Sequence, residues 1–111
     1  MSELQFEGRV IELDDRGYLR SRGDWNEALA THLAAIDGIA LTPEHWEVIV
    51  LLREHYAQFR IAPPMRLLVK EVGQRFGADK ANSRYLYRLF PDGPAKQACR
   101  YAGLPKPVSC I

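Results

Sequence analysis

Prolines divide this chain more sharply than any other feature. Thr42-Pro43-Glu44 is a strong helix start, with a capping hydroxyl, a proline at the first helical position and an acid in the first turn. Ile61-Ala-Pro-Pro64 is an equally strong stop. Between them Trp46, Ile49, Leu52, Tyr56 and Phe59 recur as one stripe as far as about Arg60, and Val48 and Leu51 widen it. An apolar surface that broad predicts the central helix of a bundle, with its aromatic rings in the core.

The same punctuation sets the shorter segments. A helix is predicted from about Met65 to Phe76, with Leu68, Val72 and Phe76 on one face. Gly77-Ala78-Asp79 is a tight connection, and a further helix runs from about Ser83 to Phe90. Pro91-Asp92-Gly93 turns the chain. Pro94 opens a last helix to about Ala102, and Gly103 terminates it. Upstream, Asp24 is placed to cap a helix carrying Trp25, Leu29, Leu33 and Ile36, which ends at Gly38. His32 flanks that stripe as a boundary residue.

Residues 4–20 follow a different pattern. Leu4, Phe6, Val10, Ile11 and Leu13 surround the turn signal Glu7-Gly8. Asp14-Asp-Arg-Gly17 makes a second turn, after which Tyr18-Leu19 returns as a short strand. The expected fold is mainly α with a small β part (α+β): a bundle of about five helices, an N-terminal β hairpin and a flexible C-terminal arm. Residues 1–103 form a single domain on this reading. Residues 104–111 form a mobile arm that two prolines keep extended and partly stiff.

With 47% hydrophobic and 26% charged residues, the 111-residue chain has the composition of one soluble domain with a modest core. No apolar run approaches the ~20 residues of a membrane span. The N-terminus lacks the basic and apolar regions of a secretion signal, so a cytoplasmic location is expected. The net charge of +1 hides an asymmetry. Up to Asp37 there are eight acidic and four basic residues; from Arg75 onward there are seven basic and two acidic. Such a field favours thiolate and attracts an anionic or acidic partner, although an unevenly decorated surface has the same composition.

The only two cysteines, Cys99 and Cys110, lie in that basic end. There is no Cys-x-x-Cys, and His32, His45 and His55 show no metal-ligand spacing with either thiol. No metal, cofactor, phosphate loop or hydrolytic site is expected. Ten residues separate the thiols, a span of roughly 35 Å when fully extended. With Gly103 as a hinge, two states are open: a protruding Cys110, or a Cys99–Cys110 bridge. Lys106 and Arg100 favour the Cys110 thiolate, while a carboxylate at Ile111 opposes it. Cys99, in its helix, has a competing role as a small buried apolar residue. These features support carriage of sulfur as a persulfide on Cys110, with Cys99 as a possible resolving thiol.

The segment Pro91-Asp-Gly-Pro-Ala-Lys-Gln-Ala-Cys99-Arg-Tyr-Ala-Gly-Leu-Pro-Lys-Pro-Val-Ser-Cys110-Ile resembles the C-terminal signature of the TusE/DsrC family. Asp14-Asp-Arg-Gly-Tyr-Leu, Asp24-Trp25, Leu41-Thr-Pro-Glu-His-Trp46, Leu52-Arg-Glu-His-Tyr56 and Asn82-Ser-Arg-Tyr-Leu-Tyr-Arg-Leu-Phe90 extend the likeness over nearly the whole chain. The resemblance implies a sulfurtransferase that carries sulfur on Cys110. For TusE-like members it implies a TusBCD-like donor complex and a tRNA 2-thiouridylase acting on the wobble uridine. For DsrC-like members it implies docking to dissimilatory sulfite reductase, with a trisulfide between the two cysteines. Cys99 matches the second cysteine of the DsrC type.

A different class of function is also legible. Leu67–Phe90 reads as helix, turn, helix, with Arg75, Lys80, Arg84 and Arg88 nearby, the outline of a helix-turn-helix nucleic-acid reader. Any two short packed helices give that outline, so direct nucleic-acid binding is not expected.

Overall fold

A computed structural model describes residues 2–107. The chain opens with an antiparallel hairpin, β1 (Ser2–Phe6) and β2 (Arg9–Leu13), in the register Phe6↔Arg9 and Leu4↔Ile11. Glu7 and Gly8 both take positive φ (51° and 76°), which matches the right-handed twist a two-residue hairpin loop requires. The two-residue period puts Leu4, Phe6, Ile11 and Leu13 on one face, and Ile11 is fully buried. Val10 lies on the other face and is exposed. After the 14–17 turn, Leu13 and Leu19 form a single antiparallel bridge, the expected short return.

Five helices follow: α1 (Glu27–Ile36), α2 (Pro43–Phe59), α3 (Met65–Phe76), α4 (Ser83–Leu89) and α5 (Pro94–Tyr101). Thr42 caps α2 as expected, and His45 completes the cap. The His45 Nδ1 accepts the Thr42 N–H at 3.0 Å, and its Nε2 donates to the Leu89 carbonyl at 2.8 Å. One buried histidine thus joins the start of α2 to the end of α4.

The start of α1 differs from expectation. Asn26, not Asp24, is the cap, its side chain accepting the Leu29 N–H at 2.7 Å. Asp24 closes a separate 3-10 turn, Arg22–Asp24. Trp25 lies between the two and is used by α5, so a tertiary contact overrides the local pattern. Ile36, placed on the inward stripe by spacing, is 60% exposed.

The hub also differs from expectation. α2 buries Val48, Ile49, Leu51 and Leu52, but α5 is the helix that touches α1, α2, α3 and α4. Six of its eight residues are buried. Its interior residues Ala95, Ala98 and Cys99 are small enough for four helices to approach, and for that reason they make little impression on an apolar pattern.

Candidate functional site

The C-terminal end of α5 is closed with unusual completeness. An α-helix leaves its last four carbonyls without intrahelical partners. Here each finds one. The Leu104 N–H donates to Cys99 O at 3.0 Å and the Gly103 N–H to Arg100 O at 3.3 Å, a Schellman pair. The Trp25 indole donates to Tyr101 O at 2.7 Å, and Arg53 donates to Ala102 O at 2.6 Å. The Arg53 guanidinium stacks 3.7 Å from the Trp25 ring centroid, so the two donors also hold each other. Burial lowers the pKa of that guanidinium from its ordinary value.

Gly103 is required twice over. Its φ of 72° is left-handed, and a Cβ there would come within 2.5–2.9 Å of Trp25. The residue nominated as a hinge therefore sits beneath the indole as the cap of α5. Beyond it Leu104 is 3% exposed, Pro105 is exposed, Lys106 is half-buried, and Pro107 is buried in a groove with Met65, Tyr87 and residues 93–96. Of the expected arm, residues 104–107 are described, and they run back along α5 towards its N-terminus.

Cys99 is fully buried in the hub helix. Removal from water pushes its thiol from 9.0 up to about 12, so at neutral pH it is a protonated, inaccessible group. Cys110 lies outside the described residues. Among the described residues no group of three or more His, Cys, Asp or Glu is arranged to hold a metal ion.

Arg100, nominated as a support for a thiolate, pairs with Asp37 at the end of α1. The same Asp37 carboxylate accepts the Tyr101 hydroxyl at 2.6 Å. That hydroxyl in turn accepts the Gln97 amide at 2.7 Å, and Gln97 Oε1 accepts the Asp92 N–H at 2.8 Å. Burial, then the Asp37 hydrogen bond, raises Tyr101 to about 12. This chain of four side chains ties the end of α1 to α5, running from the buried Gln97 and Tyr101 out to Asp37 at the surface. The expected helix-turn-helix outline is present in α3 and α4, but Arg75 and Lys80 are paired with Glu54 and Glu47 of α2.

A family model described as "DsrC like protein" matches residues 5–111. The chain belongs to the DsrC-like family. Curated relatives named Sulfurtransferase TusE include that of Yersinia pestis, 57% identical over 97% of this chain and 99% of the relative. The relative from Escherichia coli K12 is 56% identical over the same shares. Among solved structures, Allochromatium vinosum DsrC superposes with a TM-score of 0.89 at 49% identity, covering 98% of this chain and 97% of that one. The oxidized gamma-subunit of the dissimilatory sulfite reductase (DsrC) from Archaeoglobus fulgidus gives 0.85 at 42% identity, covering 99% and 100%. The DsrC-like fold accounts for the hairpin, the five helices and the hub position of α5. The clamp of Trp25 and Arg53 on the end of α5 belongs to this chain's own contacts and is not legible in the sequence. The Asp24-Trp25 pair is a visible signal, but the acceptor of its indole, the Tyr101 carbonyl, lies 76 positions away.

Proposed function

We propose that this chain is a sulfurtransferase of the sulfur-carrier type, with Cys110 as the residue that holds the sulfur. The observation that carries the reading is the 56–57% identity, over essentially the whole length, to relatives named Sulfurtransferase TusE. The burial of Cys99 supports the assignment to Cys110, because a thiol held protonated at pH 7 inside a helix hub is a poor first nucleophile.

In the transfer, the Cys110 thiolate attacks the outer sulfur of a donor persulfide. The donor S–S bond breaks, the donor leaves as a thiolate, and Cys110 becomes the persulfide; no external oxidant is consumed. The loaded residue then gives up that sulfur to an acceptor. A TusBCD-like donor complex and a tRNA 2-thiouridylase are the partners this reading selects. A DsrC-type role at dissimilatory sulfite reductase needs Cys99 as a second thiol, and the buried state of Cys99 does not favour it.

The test is incubation with a persulfide donor followed by mass analysis of the C-terminal peptide. A gain of about 32 Da, one sulfur, is expected on wild type and not on Cys110→Ser. Equal loading of the variant would remove Cys110 from its role.

A further inference from the structure

The turn at residues 14–17 folds over the same side of α5 as the chain that returns past Leu104. The Asp14 carboxylate accepts the N–H groups of Arg16 and Tyr18 at 2.8 and 3.0 Å, which fixes the turn. A Cβ added at Gly17 would lie 3.3 Å from Cδ of Arg100, so the turn rests on that arginine's stem. Tyr18, 4% exposed, donates its hydroxyl to the Lys96 carbonyl at 3.3 Å. Arg16, Lys96, Arg100 and Lys106 are thereby gathered around one concave pocket of about 160 Å³. Tyr18 and Gln97 also line it, and Asp92 contributes the single carboxylate.

Three of these four cations have no ion-pair role in the fold. Arg100 has Asp37, but Arg16, Lys96 and Lys106 make no ion pair among the described residues. Gathering four cations around a single carboxylate costs free energy, and Arg16 and Lys96 are too exposed to offset it by packing. The pocket has the volume for one carboxylate side chain. Its location is the second observation. Lys106 belongs to the segment that leads to Cys110, four positions further on. Any protein that exchanges sulfur with Cys110 must come within a few residues' reach of Lys106.

We propose that this pocket is a docking seat for an acidic patch on the protein partner that exchanges sulfur with Cys110. The inference rests on the sulfur-carrier reading and adds the chemistry of the partner's surface. Complementary charge at that point steers the encounter and fixes the register in which the tail is offered.

The experiment compares wild type with Arg16→Glu/Lys96→Glu, using two sulfur sources. One is a purified TusBCD-type donor complex; the other is 2-hydroxyethyl persulfide, a small molecule with no protein surface to dock. Transfer from the protein donor to wild type is expected to slow as salt is raised. In the variant it is expected to be at least about tenfold slower at low salt and to lose most of that salt dependence. Loading by the small persulfide is expected to be equal in both. Wild-type rates and salt dependence in the variant would overturn the proposal. So would an equal loss with both sulfur sources, which would place the effect in Cys110's own reactivity. Saturable binding of inorganic phosphate at Arg16 and Lys96, with donor-complex transfer unchanged in the variant, would reassign the pocket to small anions and also overturn it. If wild type takes sulfur from neither source, the sulfur-carrier reading itself falls and takes the docking seat with it.

Discussion

The two ends of α5 are held in opposite ways. At the C-terminal end all four terminal carbonyls are occupied, two of them by side chains reaching in from elsewhere in the chain. At the N-terminal end the cap is Gly93, which has no side chain to offer, and Pro94 has no N–H to satisfy. Its closure is local: the Gln97 N–H returns to Gly93 O, and Gln97 Oε1 takes the Asp92 N–H. The terminal groups of one end are held by hydrogen bonds from distant segments, and the cap of the other is closed within its own segment. The difference locates rigidity at the residues just before the tail, where a carrier that presents one residue to a partner has most use for a fixed origin.

The largest expected effect comes from breaking the clamp. Trp25→Ala removes the donor to Tyr101, the stacking surface of Arg53 and the cover over Gly103, and it should lower stability by about 3 kcal/mol in chemical unfolding. A loss below about 1 kcal/mol would mean that the backbone cap alone holds this end.

A smaller effect tests the core of the helix between its ends. The Cys99 thiol proton is released near 9.0 from the unfolded chain and near 12 from the native one. Above pH 9 the unfolded state therefore binds fewer protons, and stability falls as pH rises towards 12. Cys99→Ala should make that fall shallower, as read from unfolding free energies at stepped pH. Tyr18 and Tyr101, both also raised to about 12, keep part of the slope in the variant. An unchanged slope would show that Cys99 is not desolvated as its position requires.

The smallest effect belongs to the other end. Lys96→Ala, at the one exposed position in the first turn of α5, should shift stability by no more than about 0.5 kcal/mol in the same assay. A loss comparable to that of Trp25→Ala would erase the contrast between the two ends.

The helix boundaries were legible wherever proline marked them. α2, α3 and α5 begin at Pro43, just after Pro64, and at Pro94, because proline both excludes the preceding helix and suits the first turn of the next. The start of α1 was not legible. Asp24 and Asn26 are both good caps, and the choice was made by Trp25, whose indole is needed by a residue 76 positions away. The importance of α5 was hidden for a different reason: alanines and a cysteine carry a weak apolar signal but permit the closest packing. Of the site, Cys110 and Cys99 stood out as the only two thiols. That Cys99 is sealed, that Arg100 is paired and that Arg16 comes to lie beside Lys96 all depend on chain segments brought together only in three dimensions.

The hydrogen bond from the Leu104 amide to the Cys99 carbonyl ties the root of the C-terminal segment to the residue that holds the inner thiol. The last turn of α5 cannot unwind as far as Cys99 without breaking it. Unseating Leu104 is therefore part of any opening that frees the Cys99 carbonyl, and the exchange of the Leu104 amide with solvent deuterium reports how often that bond breaks.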